Sequence, residues 1–475
     1  MSKFGSSSMS LEDRWVVGCA AVLVILPAWL RGGTQALWTK PMSWVALLVL
    51  IALGLVFLRR NHVLKAAGKP AGPPLIRWRD PVPWFGLLLL ALLCVQWWNA
   101  GRALYFDPAS RSWEYSLPRH PAWPSAITTA EARQMIDWFF PAIVLLVMLR
   151  SPAVTSRAVR ALWRVLVYNA GVLCVFGLTQ YFSGTSNMFW WIPMRPHFFA
   201  TFGYPNHAGS YFLISLCVSA ALLIYELAGT RPLRRARVGL LSASVFFCLM
   251  GANFALSRLS IILGWLLLIP IGYFVVRALW PRMTPVQRLH GGTAAMVAVI
   301  LAGVLVIGLG HDAIRTEFKP EDDNKTFMDR ETTFRWFQIK TAAHMWWDHP
   351  VFGVGGWGYR YLLSHYLPPE EWRRITEGKA NVHNDPIQFL AEFGLAGAGS
   401  MAGIAAVLIL AAWRARKGWP PMVVLPCLGV GLVAAQSMID LPFRSSAVLA
   451  LWLAVLAGAS RVLPPPRKLN PPQIS

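Results

Sequence analysis

MSWVALLVLIALGLVFLRR, residues 42–60, decides the class of this fold. The run carries no charge from Met42 to Leu58 and then stops at Arg59 and Arg60. A bilayer core takes roughly 20 apolar residues as a helix, so the stretch reads as a membrane span ended by a basic pair. The pattern recurs at 15–31, 82–99, 134–149, 161–182, 206–227, 238–256, 259–277, 291–310, 387–412, 420–440 and 445–461. We therefore expect an all-α polytopic membrane protein with about 12 transmembrane helices, forming one integral domain over residues 1–475. Composition agrees, since 56% of the residues are hydrophobic and only 14% charged. That leaves too little polar surface for a soluble enzyme, which is usually about a quarter charged.

The net charge of +22 would suggest nucleic acid in a soluble protein. Here most Arg and Lys sit between spans, in alternate connections such as Arg59, Arg60 and Lys65, then Arg150, Arg157 and Arg160, then Arg231, Arg234 and Arg235. This is the positive-inside pattern. It predicts cytoplasmic termini and membrane lipids, not nucleic acid, as partners. One connection differs: residues 311–386 mix acidic and basic groups, and we read them as a large folded loop containing helices on the opposite side. All six cysteines fall inside apolar spans, so no disulfide framework is implied.

Polar residues placed where a membrane makes them costly are functional candidates. Arg195 precedes Gly203-Tyr204-Pro205-Asn206-His207 at the head of one span, where His207 reads as orienting the helix start. Ser257-Arg258 joins two spans with almost no loop, so Arg258 lies at the interface or points into a cavity. Arg330 and Arg335 fall on a Trp-rich segment, about 330–347, with the composition of an amphipathic interface helix. Gly353, Gly355, Gly356 and Gly358 then break the helix and allow tight turns. Asn381-Val382-His383-Asn384-Asp385-Pro386-Ile387-Gln388 leads into a span that carries Glu392. Glu321, Asp322 and Asp323 lack a second ligand cluster and read as solvated loop. No Gly-x-x-x-x-Gly-Lys loop and no Cys/His metal spacing occur. We expect no metal and no cofactor.

His383-Asn384-Asp385-Pro386-Ile387-Gln388, followed by Glu392-Phe393-Gly394-Leu395-Ala396-Gly397, resembles the signature of the O-antigen ligase/polymerase superfamily. Three further motifs match in order: Gly203-Tyr204-Pro205-Asn206, Ser257-Arg258, and Arg335 with His349-Pro350-Val351-Phe352-Gly353-Val354-Gly355. The resemblance covers about residues 195–400. It implies glycan transfer from an undecaprenyl-pyrophosphate carrier to an acceptor on the periplasmic face of the bacterial inner membrane. Three activities compete: ligation of O-antigen to lipid A–core, polymerisation of repeat units, and O-glycosylation of proteins. A single dominant loop before the His motif, and a chain ending soon after the last span, point to the ligase. A transporter or flippase for the same lipid-linked glycan is the reading from a different class.

Elementary chemistry fits the resemblance. A pyrophosphate leaving group needs positive charge, which arginine supplies in bidentate form without a metal. The acceptor hydroxyl must lose a proton as it attacks, and imidazole is the usual base. The expected roles are Arg258 and Arg335 on the pyrophosphate with Arg195 assisting, and His383 as base. Asn206, Asn384, Asp385 and Gln388 complete the binding set, with Glu392 behind them. Attack opposite the leaving group implies inversion at the anomeric carbon.

Overall fold

A computed structural model of the chain describes residues 9–101, 104–107, 112–115, 118–194, 197–229, 235–286, 308, 327–366, 381–415 and 420–462. Helix dominates. α1 (Leu11–Trp29), α2 (Ala36–Ala66), α3 (Pro81–Trp98), α4 (Thr129–Arg150) and α5 (Ser156–Phe182) come first. α6 (Pro205–Ala228), α7 (Arg235–Phe254) and α8 (Arg258–Leu279) follow. After them come α9 (Phe327–Asp348), the short α10 (Gly358–Leu362), α11 (Asp385–Arg414), α12 (Pro421–Gln436) and α13 (Ser446–Ala459). Two antiparallel ribbons, β1–β2 (Leu104–Asp107, Ser112–Tyr115) and β3–β4 (Asn187–Met188, Ile192–Pro193), are the sheet content among the described residues.

The caps show why the helices begin where they do. Asp80, Thr128, Thr155, Ser257, Asn384 and Ser445 each accept a hydrogen bond from a backbone N–H of the first turn, and Pro81, Pro205 and Pro421 occupy first-turn positions. Among the described residues eight helices are long and apolar enough to cross a membrane: α2 to α8 and α11. α12 and α13 are apolar but only 16 and 14 residues long, and α1 carries Glu12, Asp13 and Arg14 in its first turn. The expected span 291–310 lies outside the described residues, apart from residue 308. The chain is thus a multi-pass helical membrane protein.

α4 and α6 form the centre, with 83% of the apolar stretch buried in each, against 28% in α8 and α11. Small residues let neighbours close on α6. A Cβ on Gly251 of α7 would meet the Phe212 ring at 2.6 Å, and one on Gly429 of α12 would meet Cys217 at 2.9 Å. The cysteines are free thiols, four of them buried among these apolar contacts.

Of the 311–386 connection the described part is 327–366 and 381–386. The helix expected at about 330–347 is α9, but much of its apolar side packs within the protein. Ala342 and Met345 pack with Val354, Tyr359, Leu363, Val382 and Ala391, and Phe337, Ile339 and Trp346 close on the same cluster. Packing against the first turns of α11 has taken up the face that composition alone assigned to the membrane.

α11 breaks at Gly394, where φ is +59° and ψ −167°. The break frees backbone groups that a helix would pair internally, and the glycine-rich run takes them. Val354 and Gly355 donate to the carbonyls of Ala391 and Glu392 (3.0 and 2.8 Å), while Leu395 and Ala396 donate to those of Pro350 and Val351 (both 2.9 Å). The approach tolerates no side chain, since a Cβ on Gly353 or Gly394 would lie 2.4 Å from the other strand's backbone.

Candidate functional site

Three pieces of chain meet at one end of the bundle: the head of α6, the turn before α11, and the 437–445 connection between α12 and α13. Asn384 caps α11 by accepting from Ile387 N–H (3.1 Å) and donates its amide to the Met438 carbonyl (2.8 Å). Asp385 N–H donates to Ser437 O (2.9 Å), and its carboxylate accepts from Phe443 N–H (2.8 Å). From the α6 side, His207 Nε2 donates to Leu441 O (2.9 Å). The 437–445 turn is therefore gripped from both sides, and it carries Asp440, 4% exposed.

Asp440 is where the predicted residues converge. His383 Nδ1 lies 3.7 Å from Asp440 Oδ1, an ion-pair contact when the imidazole is protonated. Tyr204 Oη donates to the same oxygen at 3.0 Å, and Asn206 Nδ2 donates to Tyr204 Oη at 3.1 Å. Burial, followed by the adjacent Asp440 carboxylate, holds the Tyr204 phenol well above its ordinary range, whereas the charge of Arg335 pulls the other way. Tyr204 is thus a proton donor at any physiological pH. Arg335, from α9, donates to the carbonyl of Ile439, next to Asp440, at 2.7 Å.

His383 itself has φ +52°, a conformation uncommon outside glycine and frequent at functional positions. Clamps on both sides maintain it. Gln388 Oε1 accepts from Val382 N–H (3.1 Å), just before His383, and the Asn384 cap follows just after. Asn384, Asp385 and Gln388 are buried and bonded within the protein.

Beneath the turn lies a buried charge cluster. Arg444, 3% exposed, reaches Glu392 at 2.8 Å and Asp385 at 3.7 Å, and both carboxylates have no solvent exposure. Its guanidinium also lies 4.7 Å from the ring centroids of both Trp357 and Phe389. Gln388 donates to the second Glu392 oxygen at 2.9 Å. Arg444 thus pairs closely with the buried Glu392 and only at ion-pair distance with Asp385, whose carboxyl still bears a cost of burial despite the arginine.

Arg258 is half-buried and opens α8. Ser257 caps that helix, and a Cβ on Gly209 of α6 would meet Ser260 and Ser257, so Arg258 starts near the head of α6. Arg195, Glu321, Asp322, Asp323 and the Arg330 side chain lie outside the described residues. Among the described residues no three His, Cys, Asp or Glu side chains come together as a metal site would need. Beside the cluster an apolar cavity of about 510 Å³ runs between α3, α4, α11 and α13. Asp385 and Ser437 stand at one end of it and Leu146, Ile404 and Ala405 at the other.

The sequence reading missed Asp440 and Arg444 and quoted Tyr204 without a role. A signal for Asp440 did exist: it is a carboxylate in a short connection between two apolar stretches, Pro421–Gln436 and Ser446–Ala459, where charge is costly. Residues 243–402 match the sequence family described as O-Antigen ligase. The matched segment contains Arg258, Arg335, His383 and the Gly353–Gly394 interlock, and stops short of Asp440. No curated protein matches the chain.

Proposed function

Given that this chain belongs, through residues 243–402, to the O-antigen ligase/polymerase superfamily, we propose that it is the ligase. In this reading it transfers O-antigen from undecaprenyl pyrophosphate to lipid A–core at the periplasmic face of the bacterial inner membrane. The observation that carries the reading is the convergence of His383, Tyr204, Asn206 and Arg335 on Asp440 and its turn. No member of that group is spent on core packing alone.

The acceptor hydroxyl attacks the anomeric carbon as its proton passes to His383, and the carbon–oxygen bond to the pyrophosphate breaks. Electrons of that bond leave with the pyrophosphate, and the anomeric configuration inverts. Asp440 gains most when charge forms: its contact with neutral imidazole at 3.7 Å is weak, and it becomes an ion pair once His383 holds the proton. An interaction that strengthens along the reaction lowers the barrier. Tyr204 and Asn206 fix the carboxylate. Arg335 and Arg258 bind the developing pyrophosphate charge, with Arg195 assisting, while Asn384, Asp385 and Gln388 hold the acceptor side through the His383 turn. The apolar cavity lined at one end by Asp385 takes the first prenyl units of the carrier.

The test is purified protein with polyprenyl-pyrophosphate glycan and lipid A–core, repeated in excess chelator. Lipid A–core bearing the glycan, formed in both conditions, is the expected product. Extension of the carrier-linked glycan would identify a polymerase, glycan on a peptide Ser or Thr a protein glycosyltransferase, and movement of intact donor across vesicles a flippase. Loss of product in chelator, restored by Mg²⁺, would overturn the metal-free mechanism.

A further inference from the structure

The relative heights of α3, α9 and α11 locate the membrane boundary on the site's side. α11 has 30 residues, about 45 Å of helix, whereas a hydrocarbon core is only about 30 Å thick. α3, with 18 residues, runs antiparallel beside it. A Cβ on Gly403 would meet the Phe85 ring and one on Gly397 would meet Leu92, and Gln96 donates to the Phe352 carbonyl at 3.0 Å. α3 therefore ends level with Gly394, and its last residues, Trp97 and Trp98, are exposed, as aromatic side chains at a membrane boundary are. From Gly394 to Arg414 is about 30 Å of helix, one full crossing. The turns from Asp385 to Phe393 stand above it.

α9 stands beside those turns and runs in the same direction. Near its start Arg335 meets Ile439, at the level of Asn384 and Asp385. At its end Trp346 donates to the Pro350 carbonyl, which also accepts from Leu395. Residues 335 to 346 of α9 and 385 to 395 of α11 each rise about 15 Å, so the two form one strut. The elbow below α9 then lies at the depth where α3 ends. There Trp347, Val351 and Phe352 are 76, 51 and 40% exposed, next to Leu395 of the span at 57%.

We propose that Trp347, Val351 and Phe352 form a foot inserted into the lipid leaflet on the site's side, with the exposed Asp348 and His349 of the same elbow at headgroup level, holding Arg335 and His383 about 15 Å above the hydrocarbon boundary. Lipid is the occupant because the exposed patch continues the outward-facing surface of two membrane spans. The backbone is also prepared for it: the carbonyls of Pro350, Val351 and Phe352 are taken by Leu395, Ala396 and Gln96. Non-helical chain enters hydrocarbon only where its polar groups are satisfied within the protein, and these three carbonyls meet that condition. Trp336, 66% exposed on the same helix three turns higher, faces water.

The inference does not depend on the reaction and is tested without it. Trp347→Cys, Val351→Cys, Phe352→Cys and Trp336→Cys are made with the accessible Cys94 and Cys427 replaced by Ser, and each is labelled with bimane. Labelled proteins go into phosphatidylcholine–phosphatidylglycerol vesicles carrying brominated acyl chains, and separately into plain vesicles with iodide in the water. Expected is lipid quenching at 347, 351 and 352 severalfold above that at 336, with the reverse order for iodide. Three positions guard against one variant failing to fold. Iodide quenching at 351 and 352 equal to that at 336 would place the elbow in water, as a glycan-binding surface would be. Protection from both quenchers would place it against a second copy. Strong lipid quenching at 336 would lay α9 along the membrane. Each of these three overturns the proposal.

Discussion

At Asp440 one carboxylate oxygen serves both Tyr204 and His383, which makes this residue the sharpest test of the proposed chemistry. A general base contributes roughly a hundred- to ten-thousand-fold to rate. His383→Ala is expected to lower turnover within that range while donor affinity stays near wild type, because arginines hold the pyrophosphate. Asp440→Asn keeps the shape but removes the charge that stabilises imidazolium, so a smaller loss, on the order of ten- to a hundredfold, is expected. Turnover and donor affinity measured on the same purified variants separate these outcomes from a scaffold role, in which both would fall together. Arginine geometry gives the second residue-scale prediction. Lys keeps the charge but loses the planar fork, so Arg258→Lys and Arg335→Lys should both be severely impaired in product formation. Near-normal turnover in both would reduce them to headgroup contacts.

Between elements, the interlock of the glycine run with the α11 break is the feature most sensitive to a single methyl group. Gly394→Ala and Gly353→Ala each place a Cβ against backbone at 2.4 Å and at positive φ, which combines overpacking with backbone strain. Each should cost about 2–4 kcal/mol, visible as a fall in thermal midpoint and in folded yield. Gly399 is the contrast, because it lines the cavity with nothing within 4 Å of its Cβ position. Gly399→Ala should leave stability unchanged, whereas Gly399→Phe should fill the cavity and raise KM for the lipid-linked donor with little change in kcat. An unaltered KM would remove the cavity from the donor site. The same interlock couples α9 to α11, so Arg335 and His383 are carried by one packed unit, not by separate loops.

For the whole molecule, the charge asymmetry of the connections gives a prediction about sidedness. Lys325→Cys and Asn470→Cys should react with an impermeant thiol reagent from opposite faces of the membrane. Labelling of both from one face would mean that an odd number of crossings separates the read order from the real one. The eight spans that are clear by length and composition among the described residues leave α1, α12 and α13 as shorter or charged helices held by packing with their neighbours. α13 illustrates the point: its 14 residues span only about 21 Å, yet all but Leu449 are buried against the bundle.

The sequence by itself determined the class of fold, the extent of most long helices and the resemblance to the O-antigen ligase family, which residues 243–402 match. Apolar runs and basic breaks are local properties, and a bilayer reads them one span at a time. It also singled out His383 and Asn206 at span ends and Arg335 on the loop helix, residues that the tertiary structure then brings to one turn. The partners of Asp440 were decided by tertiary structure alone, since 57 positions of chain separate it from His383 and its costly position between two apolar stretches names no partner. The orientation of α9 was likewise beyond local reading: a Trp-rich amphipathic stripe fits lipid or protein equally well, and only the presence of α11's first turns beside it chose between them. So too with the glycines, where the pattern signalled a break, but the close approach that forbids any side chain exists only once Gly353 and Gly394 meet.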